Sequence, residues 1–406
     1  MENSESIIFT PKKLGKVMLR NRTIRSAAFE GMAKDNKPTQ QLKDYHVSVA
    51  KGGIGMTTLA YASVNRSGVS FNTQLLLNDE VVPGLADIAD AVHKEGAALS
   101  IQLGHCGNMT HFKTAGGMPV GTRNGFNLYS PTMYRKLTSK ELIQFAKDFG
   151  HGVEIAAKAG LDAVEVHAGH GYLISQFLSP YTNRRHDEYG GSLENRMRFM
   201  NMCLTEVMDK AQKHNMSVLV KHNTRDGFKG GLEIDENIEI AKQINSFGVD
   251  GIVLSGGFVS KAPMYVMRGR MPIKSMTHYM HPWWLKWGVS MVGNQMIREV
   301  PFEEAFFLED ALKFKKAVDA PFIYVGGLIR KSKIEEVINK GFDFVQMGRA
   351  LISMPDFVNR MKNGEADCCG CDHHNYCIAR MYSIDMKCCN HIKDELPEKI
   401  IKELGI

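Results

Sequence analysis

Several kinds of segment are missing from this sequence, and each absence removes a class of protein. No stretch approaches the roughly 20 consecutive apolar residues of a membrane span. The opening MENSESIIFTPKK has neither the apolar run of a secretory signal nor an Arg-rich amphipathic start, and the closing KELGI matches no peroxisomal or reticulum address. The expected compartment is the cytosol. There is no G-x-G-x-x-G, so a dinucleotide held on its own Rossmann unit is not expected. Fifty Lys and Arg stand against forty-four Asp and Glu, a surplus of +6 spread along the chain. That balance speaks for solubility and against nucleic acid, which would want a basic stripe. No internal repeat and no low-complexity linker interrupts the chain. Cysteine is sparse, eight in 406 residues, and six of the eight crowd between Cys368 and Cys389. A disulfide scaffold would spread them through a small secreted chain, so the crowding points to a metal site or its relic.

What is present is a chain rich enough in apolar residues, 44%, to bury a sizeable core. Short β-rich apolar runs recur, each followed by a helical pattern: Thr23–Phe29, Gly55–Val64, Ala98–Leu103, Asp162–Ala168, Ser217–Asn223, Gly251–Gly257, Phe322–Gly327 and Phe342–Gly348. Eight such alternations imply a parallel sheet, either a closed (β/α)8 barrel or an open doubly wound sheet. Thr138 and Glu141 form a capping-box pattern ahead of Leu142, Phe145, Ala146, Phe149 and Val153 at helical spacing. The opening IIFTPKKLGKVMLRN reads as a β-hairpin plugging the floor of a barrel. Residues 258–298 are too long for a simple connection and contain all three tryptophans, Trp283, Trp284 and Trp287. Such an insertion is either a lid or a helical excursion packed on the barrel. The expected division is a barrel over 1–365 and a Cys-rich tail over 366–406.

The chemistry concentrates after the fourth strand. His167, His170 and Tyr172 follow a buried run, where barrel enzymes place catalytic groups. Neutral imidazoles each donate one hydrogen bond, so a pair can grip one carbonyl oxygen. A phenol beside them can supply a proton to a carbanion-like centre. At the other side of the expected barrel, Gly326 and Gly327 close the seventh strand, and Gly348 and Arg349 the eighth. Barrels often bind phosphate between these two loops, and a guanidinium adds a planar donor fork.

The run HAGHGYLISQFLSPYTNRRHDEYGGSLENR closely resembles the signature of the Old Yellow Enzyme, or NADH:flavin oxidoreductase, family. The resemblance implies a (β/α)8 barrel holding FMN, with NAD(P)H as reductant. It implies that His167 and His170 bind the substrate oxygen and that Tyr172 donates the proton. Asn21 to Ser26 resembles the family's first strand, which places Ser26 at the cofactor. Ile101-Gln102-Leu103 resembles the third, where Gln102 would pair with the flavin pyrimidine edge. Val220-Lys221-His222-Asn223 resembles the fifth, where Lys221 would sit near flavin N1 and favour the anion formed on reduction. The sequence departs from the pattern at Phe29 and Gly31, where relatives carry flavin-tuning or substrate-facing residues. It departs again at Gly104-His105-Cys106-Gly107-Asn108, in place of HAGR.

Cys371, His374, Cys377 and Cys388 resemble the iron–sulfur segment of the longer dienoyl-CoA reductase and trimethylamine dehydrogenase branch, with His374 where a second Cys is expected. A zinc site of the Cys₃His kind suits the same residue types, and so does a tail without metal. The flavodoxin-like and dinucleotide domains of that branch are not expected here. The favoured activity is passage of hydride from reduced flavin to an α,β-unsaturated carbonyl or similar electrophilic alkene. Its rivals are an amine dehydrogenase or demethylase, a flavin-binding redox sensor without turnover, and a flavin-free barrel lyase. The residues leave the oligomeric state open, a homo-oligomer included.

Overall fold

The computed structural model describes residues 6–281, 283–381 and 383–406. Eight parallel strands form a closed barrel: β1 Thr23–Arg25, β2 Met56–Ser63, β3 Ala98–Gly104, β4 Ala163–His167, β5 Ser217–Asn223, β6 Gly251–Ser255, β7 Phe322–Val325 and β8 Phe344–Met347. Pairing of β8 with β1, in the register Val345↔Thr23 and Met347↔Arg25, closes the ring and decides between the two sheet topologies. Most strand residues are buried on both faces, which is why they read as near-continuous apolar runs rather than alternating ones.

Helices α1 Gln40–Lys51, α2 Val82–Lys94, α3 Ser139–Lys158, α4 Leu193–Lys213, α5 Ile234–Ser246, α6 Leu308–Ala317, α7 Lys331–Asn339 and α8 Phe357–Asn363 follow the strands. In α3 the capping box is formed: Thr138 accepts from the Glu141 amide, and the Glu141 carboxylate accepts from that of Thr138. Leu142, Ala146, Phe149 and Val153 are buried along one stripe of this helix.

The barrel floor is an apolar layer of Ile24, Met56, Ala163, Leu219, Val253, Ile323 and Phe344, sealed from below by Leu14 and Leu19. Those two leucines come from the expected hairpin, Lys12–Leu14 paired antiparallel with Val17–Leu19. Gly15 makes its turn at φ +58°.

Three excursions build the opposite rim. After β3, Val120–Gly121, Gly125–Asn127 and Thr132–Lys136 form a small sheet that no sequence pattern announced. After β6, the chain runs through helices Pro263–Met267, Ile273–His278 and Trp283–Met296. The tail after α8 lies over the rim. The Met386 amide donates to the carbonyl of Glu30 at 2.8 Å, and a Cβ on Gly31 would stand 2.4 Å from the carbonyl oxygen of Ile384.

Candidate active site

Inward-facing side chains one layer above the apolar floor are polar, and they converge on Glu165. This carboxylate, fully buried, accepts from Gln102 Nε2 at 2.6 Å and from Gln346 Nε2 at 2.7 Å, and it pairs with Lys221 Nζ at 2.8 Å. Lys221 also donates to Ser26 Oγ at 3.2 Å. The structure thus brings Ser26, Gln102 and Lys221 together and adds two residues that the sequence reading passed over, Glu165 and Gln346. Glu165 had a signal in the sequence, because a charge in a buried strand is rare unless paired and Lys221 stands in the next strand. The finding changes the electrostatics: Lys221 is not an isolated cation but half of a buried ion pair.

The candidate catalytic groups stand one layer higher. His167 follows Glu165 by two along β4 and is buried; its ring meets that of His170 edge-on at 5.0 Å and that of Tyr172 at 4.4 Å. The Gly169 amide donates to His167 Nδ1 at 3.4 Å, so the neutral ring carries its proton on Nε2. Burial, reinforced by His170 and Lys221, holds His167 well below the usual histidine range. Burial and Lys221 push His170 down to about 3. Both rings are neutral at pH 7, and each then has one N–H to donate. His170 Nε2 shares a 2.7 Å hydrogen bond with Ser255 Oγ, and Asn223 Oδ1 accepts from the His170 amide at 3.1 Å. When Ser255 donates, the proton of His170 sits on Nδ1. Ser255 and Asn223 were missed by the sequence reading, although each ends a barrel strand, the position where such groups are found.

Close packing fixes the three rings. Tyr61 lies against Tyr172 at 4.8 Å, and its hydroxyl donates to the Gly68 carbonyl at 2.7 Å. A Cβ on Gly171 would fall 2.4 Å from the Phe258 ring, so glycine is needed for the approach of this wall. Phe29 stacks on Phe71 at 5.0 Å, and His105 on Phe145 at 4.8 Å.

The donor set of this end suits a flavin mononucleotide. Among the described residues, the amides of Gly326, Gly327 and Gly348 donate to no protein acceptor, and a Cβ on Gly348 would point into open space. Gln346 Oε1 is buried without a partner, an acceptor that a ring N–H can satisfy. Arg349 is held in place by the tail. Its guanidinium donates to Asn375 Oδ1 at 2.7 Å, and Asn375 is itself anchored on the carbonyls of Arg268 and Arg270. The tail and the long excursion therefore orient this arginine.

The tail does not draw the expected ligands into one set. Cys371, Cys377 and Cys388 lie close enough to feel one another's charge, the first two beside Arg349. His374 instead faces Cys389, its Nδ1 3.8 Å from that sulfur. Burial pushes the Cys377 thiol up to about 12, whereas a hydrogen bond from Cys389 lowers Cys388 to about 6. Among the described residues no three His, Cys, Asp or Glu side chains are grouped as metal ligands. His374 is turned to Cys389, and the Arg349 guanidinium stands near Cys371 and Cys377.

Residues 7–262 match the family described as NADH:flavin oxidoreductase / NADH oxidase. The chain is 34% identical over 377 residues to a 4,4'-dithiodibutanoate disulfide reductase of Rhodococcus erythropolis, spanning 93% of each. It is 30% identical over 362 residues to an NADH oxidase of Thermoanaerobacter brockii, with 88% of this chain but only 51% of that one covered. The solved structure of a 2-naphthoyl-CoA reductase superposes with a TM-score of 0.81 at 22% identity, over 98% of this chain and 58% of the other, a likeness of fold. This barrel is a flavin-dependent oxidoreductase and belongs to the NADH:flavin oxidoreductase, or Old Yellow Enzyme, family.

Proposed function

We propose that the enzyme takes reducing equivalents from NAD(P)H and passes them to an electrophilic acceptor whose oxygen lies between His167 and His170, an α,β-unsaturated carbonyl or similar compound. The observation that carries this reading is the pair of neutral imidazoles, edge-on at 5.0 Å, with the Tyr172 ring 4.4 Å from the first. FMN, held by Ser26, Gln102, Lys221 and the Gly326, Gly327 and Gly348 amides with Arg349 towards its phosphate, supplies the hydride when bound. The histidines stabilise negative charge that develops on the acceptor oxygen, so their effect falls mainly on the transition state. Tyr172 delivers a proton to the α-carbon. Phe258 and Tyr61 hold the rings in place, and Glu165 fixes Lys221.

A second acceptor class is favoured by one observation, the 34% identity to a disulfide reductase over 93% of both chains. On a disulfide the same phenol would protonate the departing thiolate. The test is stopped-flow reoxidation of the NADPH-reduced protein by cyclohexenone and by 4,4'-dithiodibutanoate. Rapid reoxidation by the enone supports the first reading, and reoxidation by the disulfide alone supports the second. Protein that releases FAD, or that binds no flavin after reconstitution, would overturn both.

A further inference from the structure

The helix Trp283–Met296 packs inwards on Ile273–His278, where a Cβ on Gly293 would lie 3.0 Å from Ile273. Its other side is left in water: Trp283 is 77% exposed, Trp284 53%, Trp287 65%, and Met291 and Met296 65% each. Trp283, Trp284, Trp287 and Met291 fall on one side of the helix and make an exposed apolar patch, a mark of an interaction surface.

The helix and the segment leading into it carry charge of one sign. From residue 251 to residue 298 there is no Asp or Glu, while Lys261, Arg268, Arg270, Lys274, Lys286 and Arg298 are all cationic. Beside the helix, Arg270, Lys274 and Lys402 line a cavity of about 330 Å³ together with Ser290 and Asn294. The one acid lining it, Glu403, is already engaged by the amides of Lys274 and Ser275 and by the Ser275 hydroxyl, at 2.7, 2.7 and 2.8 Å, and Lys402 pairs with the exposed Glu398. A second copy meeting this face across a two-fold axis would set cation against cation. An anionic bilayer complements it, because tryptophan favours the headgroup level and juxtamembrane lysine and arginine favour acidic lipid.

We propose that Trp283–Met296 seats the enzyme on an anionic lipid surface. The tryptophans and Met291 enter the boundary between headgroups and acyl chains, and Arg270, Lys274 and Lys286 meet the headgroups. The attachment is interfacial: among the described residues no helix is long and apolar enough to cross a membrane. It is independent of which acceptor the barrel reduces.

The chain's only tryptophans are these three, so tryptophan emission of the full-length protein reads this patch alone. Vesicles of equal parts phosphatidylglycerol and phosphatidylcholine should shift the emission to the blue and carry the protein upwards in flotation. Pure phosphatidylcholine should do neither, and about 1 M NaCl, where the screening length falls to about 3 Å, should release it. Trp284→Ala with Trp287→Ala should weaken partitioning by roughly tenfold or more. Lys274→Gln with Lys286→Gln should do the same while leaving the apolar packing untouched. The proposal is overturned by unchanged emission and no flotation with anionic vesicles, or by equal binding to neutral ones. A blue shift that follows protein concentration without lipid, with a dimer in sedimentation, would assign the face to a second copy instead.

Discussion

The backbone of His170 stands at φ +59°, in the left-handed region that few residues other than glycine enter. Histidine and asparagine are among the side chains that tolerate it best. His170→Asn should keep the fold and enone turnover within about tenfold, whereas a β-branched His170→Val should cost 1–3 kcal/mol of backbone strain as well as the donor. Thermal melts beside enone kinetics separate the two losses. Tyr172→Phe removes a proton and little else. NADPH should reduce the flavin of this variant at near the normal rate, while the enone half-reaction slows by roughly 10²–10⁴. Equal slowing of both half-reactions would point to damaged packing instead. Glu165 and Lys221 form one unit, with side chains 0% and 2% exposed. Glu165→Gln or Lys221→Met alone leaves a buried charge unpaired and should cost about 3–5 kcal/mol. The double variant should recover much of that loss in urea denaturation, and additive losses would refute the coupling.

Among the elements, the strands were the most legible because burial on both faces writes them as uninterrupted apolar runs. The capping box of α3 was equally plain, since it lies within four residues of sequence. The small sheet over Val120–Lys136 was not, because its strands are short and largely polar, with Phe126 and Met133 exposed. The floor hairpin works through two side chains, Leu14 and Leu19, both 1% exposed. Leu19→Ala should destabilise the barrel by about 2–5 kcal/mol, the usual cost of a large-to-small change in a packed core. Flavin binding should survive at temperatures where the variant is folded, because the plug closes the end of the barrel away from the polar layer. Loss of flavin from folded Leu19→Ala would contradict that separation.

Across the whole molecule, several buried histidines are held neutral. Burial takes His105 and His170 down to about 3 and His222 to about 4, with His46 and His167 lowered as well. Each has a folded value below its unfolded one, so the unfolded chain takes up these protons first as pH falls. Their contribution to stability is complete above about pH 6.5 and is lost progressively towards pH 3–4, at up to about 1.4 kcal/mol per pH unit for each group. Calorimetry should show a melting temperature that drops steadily from pH 7 to pH 5, less steeply in His222→Gln. A melting temperature that rises on acidification would refute this account.

The sequence by itself determined the alternation of strand and helix, the floor hairpin, and the positions of His167, His170 and Tyr172. These depend on neighbours two to four residues apart, and local periodicity and motif record such relations directly. Tertiary structure alone decided the rest. Closure of β8 on β1 made a barrel of a parallel sheet. Closure also brought Gln346 to Glu165 across 181 residues, and the pairing of β5 with β4 set Lys221 against the same carboxylate. The tail's Asn375 turned Arg349 towards itself, and His374 came to face Cys389 instead of the expected ligand set. The helix Trp283–Met296 presents its tryptophans outwards, although their composition alone would have suited a core. These contacts join residues 15 to 322 positions apart, brought together by strand pairing and by the packing of the tail rather than by any pattern within one segment.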